Sequence, residues 1–199
     1  MTDRRLPIRF ETERLVLRRY RESDAPTYYA MSLRNREHLR EYESDNVAMT
    51  LESEAHTAET LRDLVAAWRS GSCYFIGGFD RSTGEFVAQV YVGPFDELPH
   101  EFILGYIVDR EHEGRGYVTE AVRATVRLLF DELDAHRVRI HCADTNLRSI
   151  RVAERCGFEK EGHIHEAGAR PGDGAPGTLI YGIVRSEYDT GRLDDGRGG

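Results

Sequence analysis

Two glycines, Gly114 and Gly116, punctuate the segment GYIVDREHEGRGYVTEA, residues 105–121, at the junction of a strand-like run and a helix-like one. The first amides of a helix have no intrahelical partner and sit at the positive end of its dipole, so the chemistry offered here is the binding of an anion. Glycine removes the Cβ that would hold a phosphate away, and Arg115 between the pair adds a positive charge. A plain tight turn would use the same two residues, and the pair alone leaves both readings open. The segment is neither a dinucleotide fingerprint, which needs a third glycine after a first strand, nor a P-loop, which needs Lys-Ser/Thr. Further along, Asn146 stands where it can cap a helix, and Ser149 in that helix can bond to local backbone. Eight histidines are present, but His163 and His165 alternate on a strand without partners at ligand spacing, so no metal site is expected.

The elements that must position these residues follow from periodicity. LVLRRY (15–20) reads as a strand, and Ser23 or Asp24 then offers an N-cap to a helix that accepts Pro26 in its first turn. NREHLREY is a second helical stretch, and from Leu51 the spacing of Ala58, Leu61, Leu64, Val65 and Trp68 marks an amphipathic helix stopped by Gly71. CYFIGGF and EFVAQVYV form a hairpin across DRSTG; the loop GPFDELPH leads to a third strand, EFILGYIVD. After the glycine loop, Val118, Ala121, Val122, Val126, Leu129 and Leu133 share one helical face. VRIHC, the helix NLRSIRVAERC, the strand FEKEGHIHE, the loop GARPGDGAPG and the strand TLIYGIV complete an α/β chain: a mixed sheet with helices packed on its faces. The polar stretches at the two ends lack a packing face and are expected to be loose.

In this setting the 105–121 segment resembles motif A of the GNAT superfamily of N-acetyltransferases. ETERLVLRRYRESDA, NREHLREY, NLRSIRVAERCGFEKEG and TLIYGIVRSEY are similar, in order, to segments of its RimJ/RimL-type branch, the ribosomal-protein N-terminal acetyltransferases. The resemblance implies the GNAT acyl-CoA N-acyltransferase fold, a central, mostly antiparallel sheet with helices on both faces, over one domain at 10–188 with flexible tails at 1–9 and 189–199. It also implies acetyl-CoA as cosubstrate, without metal, and direct transfer of acetyl to a primary amine such as a protein N-terminal α-amino group. A small-molecule amine (an amino acid, polyamine or aminoglycoside) is the alternative acceptor, and a non-catalytic acyl-CoA-binding module the alternative of another class.

The same resemblance assigns roles. Backbone amides of Ile107 or Val108 would polarise the thioester, and Glu113, Gly114, Arg115, Gly116, Tyr117 and Val118 would form the diphosphate loop, although Glu113 stands where Gln or Arg is usual and Val118 where Gly or Ala is usual. Asn146 would also hold the pantetheine arm. Relatives often carry a basic Glu just before the Gly-Tyr of the third strand; Ile103 occupies that place, and Glu101, on the same strand face, is either its replacement or a solvated residue at the strand start. The helix Tyr that many relatives use as an acid is Ala153 here, which leaves Ser149 as the candidate donor to the departing thiolate. Asn35, Arg36 and His38 fall in the acceptor-side segment. Tyr106 and Tyr181 fall on strands near the acceptor groove, with packing as their other reading.

Composition agrees with this picture. The chain has 199 residues, 40% of them hydrophobic, enough for one sizeable core, and a formal net charge of −8 that disfavours nucleic-acid and membrane partners and suits a cationic substrate. Three cysteines without metal-like spacing, and no signal or membrane segment, lead us to expect reduced thiols and a cytoplasmic monomer or homodimer.

Overall fold

The computed structural model describes residues 5–95, 98, 100–165, 176–191 and 193. Among the described residues eight strands form: β1 (Arg9–Glu11), β2 (Leu15–Arg19), β3 (Tyr74–Asp80), β4 (Phe86–Pro94), β5 (Glu101–Val108), β6 (Arg137–Ala143), β7 (Glu159–Ile164) and β8 (Thr178–Val184). They form one sheet in the order β1-β2-β3-β4-β5-β6-β8-β7, antiparallel except where β5 meets β6. The helices are α1 (Ala25–Leu39), α2 (Glu54–Ser70), α3 (Tyr117–Asp131), α4 (Leu147–Arg155) and the short α5 (Arg185–Asp189).

Two buried clusters hold the helices to the sheet. Tyr28, Met31, Leu61, Phe79 and Ile107 belong to the cluster of α1 and α2, whereas Val122, Val126, Leu129, Leu104 and Ile140 belong to that of α3. Strand alternation divides β5 between them, since Leu104 and Ile107 point to opposite faces. The stripe expected on α3 is buried, and α2 is capped by Ser53, whose side chain accepts from His56 N–H.

Several expectations change. NREHL is no separate helix but the end of α1, whose inward stripe includes the buried polar residues Ser32 and Asn35. Asp24 occupies the N-cap position of α1 but turns its carboxylate to Arg18, at 2.7 and 2.8 Å, tying β2 to the helix. Outside residues 10–188, Leu6 and Leu193 are buried in the core and Arg9 of β1 pairs with Arg18 of β2. The loop expected at 168–177 lies, apart from Pro176 and Gly177, outside the described residues, as do Asp96, Glu97 and Pro99 of the loop before β5.

One feature of the sheet positions the site. β5 pairs with β6 only from Glu101 to Leu104, opposite Arg137 to Ile140. Beyond that, β5 stays with β4 as far as Val108 and β6 stays with β8 as far as Ala143, so the two central strands separate like the arms of a V.

Candidate active site

Phe95 N–H donates to Glu101 O and Asp109 N–H to Val87 O, each at 2.9 to 3.0 Å, which assigns the odd-numbered residues of β5 to the β4 ladder. Antiparallel pairing alternates, so the amides of Tyr106 and Val108 face the open side of the V. Of the two amides expected to polarise a carbonyl, Val108 therefore points into the gap; Ile107, in register with Gln89, directs its N–H toward β4.

At the end of β5 the chain is fastened to α1. Asp109 is fully buried, accepts from Glu111 N–H at 3.2 Å, and is gripped by Arg34 through Nε at 3.1 Å and through a second nitrogen. Asn35 accepts from Arg110 N–H at 2.9 Å. The loop then turns through Gly114 (φ 72°) and Gly116 (φ 78°), left-handed conformations that disfavour any side chain. A Cβ on Gly114 would meet nothing within 4 Å, and no side chain caps α3. A Cβ on Gly116 would meet Arg14 at 3.5 Å, and the first-turn amides of this 15-residue helix, which lack a side-chain cap, are donors that fit a diphosphate. Arg14 steadies the loop by donating to Arg115 O at 2.8 Å.

The loop borders a cleft of about 490 Å³ between the end of α1, the open arm of β5 and the start of α4. His38, Glu43, Tyr106, Val108, Glu113, Val118, Asn146 and Ser149 line it. Asn146 accepts from Ser149 N–H at 3.1 Å and so caps α4, while the Ser149 hydroxyl meets Tyr106 Oη at 2.9 Å. Burial pushes the Tyr106 phenol up, so it stays protonated. Glu113 is not an unopposed charge at this mouth: His38 lies 2.8 Å away and Arg148 2.5 Å away.

A second cleft of about 380 Å³ includes Asp45, Phe75, Gln89, Tyr91 and Gly105 in its walls and shares Tyr42, Glu43 and Tyr106 with the first. Glu43, in the loop after α1, is the residue that sequence reasoning missed. Burial raises its carboxyl to about 7, and a hydrogen bond from Asn46 only partly opposes this. Its one signal in the sequence is its position directly after NREHLREY.

Other expected residues lie elsewhere. Glu101 is ion-paired with Arg139, whose guanidinium lies 4.1 Å from the Phe95 ring centroid, at the closed end of the V and outside both clefts. Its place beside Arg137 and Arg139 on the paired segment of β6 is what removes it. Asn35 is buried and bonded to Met31 O and Arg110 N–H, and Arg36 donates to Leu51 O, so neither lines a cleft. Tyr181 is buried on β8 with its hydroxyl 3.3 Å from Glu154. Tyr117 contributes backbone to the α3 terminus, while its hydroxyl donates to Asp80 at 2.6 Å. Among the described residues no cluster suited to a metal ion is found.

Residues 14–159 match the family described as the acetyltransferase (GNAT) domain. The chain belongs to the GNAT acetyltransferase family. Within GNAT it is 29% identical over 172 residues to the Escherichia coli [ribosomal protein uS5]-alanine N-acetyltransferase, covering 80% of this chain and 82% of that protein. It is 48% identical over 59 residues to Bacillus subtilis YjcK, classed by name as an N-acetyltransferase, a match spanning 30% of this chain and 33% of that protein. A solved GNAT structure of the same fold, the ribosomal L7/L12 α-N-protein acetyltransferase RimL in complex with coenzyme A, superimposes with TM-score 0.76 at 21% identity, over 89% of this chain and 96% of that one.

Proposed function

We propose that this GNAT protein transfers acetyl from acetyl-CoA to the α-amino group of a protein N-terminus, within the folded unit that includes residues 10–188. The observation that carries the reading is the meeting of two clefts at the opened β5 arm, beside Tyr106 and the outward-facing Val108 amide. With the coenzyme diphosphate on the amides after Gly116, the pantetheine arm runs past Asn146 into the V. The thioester carbonyl then meets Val108 N–H, a donor aimed at the oxygen on which negative charge develops. Ser149, relayed by Tyr106, supplies a proton to the leaving sulfur.

A protein N-terminus suits the second cleft. Its walls carry Glu43 and Asp45, which favour an ammonium, and Tyr42, Phe75 and Tyr91, which favour an apolar first side chain. An α-ammonium with a pKa of about 7.7 to 8.0 asks less of a base than a lysine at about 10.4. The uS5-alanine enzyme among the relatives is named for such an acceptor. No described helix is long and apolar enough to cross a membrane.

The test is incubation with labelled acetyl-CoA and a panel of N-terminal peptides beside amino acids, polyamines and aminoglycosides. Acetylation of peptide α-amines above all small amines is expected. Preference for a small amine would replace the acceptor, and coenzyme binding without turnover would leave a binding module only.

A further inference from the structure

The base expected on β5 is missing from both clefts, yet the reaction needs the acceptor nitrogen neutral. Glu43 is the carboxylate shared by the two cleft walls. Its backbone is fixed by Glu43 N–H donating to Leu39 O at 2.7 Å and by Glu43 O accepting from Asn46 N–H at 3.0 Å. We propose that Glu43 is the general base of the transfer, taking the proton of the acceptor ammonium where the clefts meet beside Tyr106. The assignment rests on the acetyl-transfer reading above.

The proton balance is closed. The ammonium gives one proton to the Glu43 carboxylate, which releases it to solvent. The nitrogen lone pair forms the C–N bond at the thioester carbonyl carbon. On collapse the C–S bond breaks, the sulfur keeps its electron pair and takes a proton from Ser149, and the proton then lost by the amide nitrogen restores the Ser149 hydroxyl.

The surroundings favour a base that works near neutrality. Glu37 and His38 on α1, Glu41, Tyr42 and Asp45 in the same loop, Tyr91 on β4 and Tyr106 on β5 are the titratable groups sharing its clefts. From the opposite wall come Glu113 and Arg148, which pair with each other. Among the described residues none forms an ion pair with Glu43, so no cation holds its carboxyl down, and burial holds it up at about 7. A carboxylate tuned this way accepts an α-ammonium proton with little mismatch.

The experiment compares wild type with Glu43→Gln, checked for folding by circular dichroism, in kcat/KM against pH with the acceptor that wild type uses. Wild-type kcat/KM should rise through pH 7, whereas Glu43→Gln should lose that limb and fall by about 100-fold at neutral pH. Its calorimetric affinity for CoA should stay within about two-fold, because the diphosphate loop is untouched. With an aromatic amine, already neutral throughout this range, the loss should largely vanish, which a general structural defect would not allow. Full activity and an unchanged limb in Glu43→Gln overturn the assignment alone. Failure of wild type itself to bind CoA or release thiol overturns the parent reading, and the assignment with it.

Discussion

Tyr106 Oη lies 2.9 Å from Ser149 Oγ and 3.1 Å from Ser149 O, joining the splayed end of β5 to the first turn of α4. In the acetyl transfer proposed above, these two hydroxyls would form one proton relay to the coenzyme sulfur. Ser149→Ala should lower kcat by on the order of 10- to 100-fold, a modest loss because a thiolate departs without full protonation. Tyr106→Phe should lower it by a similar factor, and the double variant by little more than either, since the pair acts as a unit. Steady-state kinetics with saturating coenzyme measure this; additive losses would separate the two hydroxyls.

Arg34 and Asp109 carry the link between α1 and the start of the glycine loop. Burial alone would raise the Asp109 carboxyl, but the Arg34 bonds and the Glu111 amide outweigh it and hold it below its usual value. A depressed folded value means that the contribution is present above the ordinary carboxylate range and is lost as pH falls through it. Arg34→Ala strands a buried charge and should cost about 3 kcal/mol at pH 7. Asp109→Asn should flatten the acid side of the stability profile. Thermal melts between pH 3 and pH 7, read against about 3.9 for a free Asp, check both.

Glu43 has the opposite sign. Its folded value near 7 exceeds the ordinary 4.5, so the folded state holds the proton more tightly than the unfolded chain does. Its ionisation therefore costs stability as pH rises from 4.5 through 7. Glu43→Gln should raise stability at pH 8 by on the order of 2 kcal/mol, with little gain at pH 4.5. Denaturant midpoints at the two pH values give the comparison, and an equal gain at both would remove the burial explanation.

Glu113 is held between His38 and Arg148 at the mouth of the first cleft. In Glu113→Gln the local negative charge goes and Arg148 is released toward the diphosphate. Coenzyme affinity should rise by about 5-fold at low salt and by less at high salt, where screening shortens the reach of the charge. Calorimetric titration at two ionic strengths is the measurement, and weaker binding would mean that Glu113 itself contacts the coenzyme.

How much of this arrangement the sequence carries depends on how local each signal is. The hairpin of β3 and β4 and the β5 run are legible as β-branched and aromatic runs, and the α3 stripe because apolar residues recur there at helical spacing. The sequence does not mark α1 as one helix, because Ser32 and Asn35 interrupt its inward stripe with polar residues that are nevertheless buried. The left-handed turns at Gly114 and Gly116 and the Asn146 cap on α4 are legible because their geometry is set by near neighbours along the chain. The surroundings of Glu101 and Glu43 are not, for a shared reason: they are built by elements distant in sequence. Arg139 on β6 locks Glu101, and the clefts closing around Glu43 are walled by β3, β4, β5 and α4.

The most direct measurement is a crystal structure of the protein with acetyl-CoA or a non-hydrolysable analogue. The expected result has the diphosphate on the amides following Gly116 and the thioester carbonyl within hydrogen-bond distance of Val108 N–H, between β5 and β6. A coenzyme bound elsewhere, or a thioester whose carbonyl faces away from the opened strand, would contradict it.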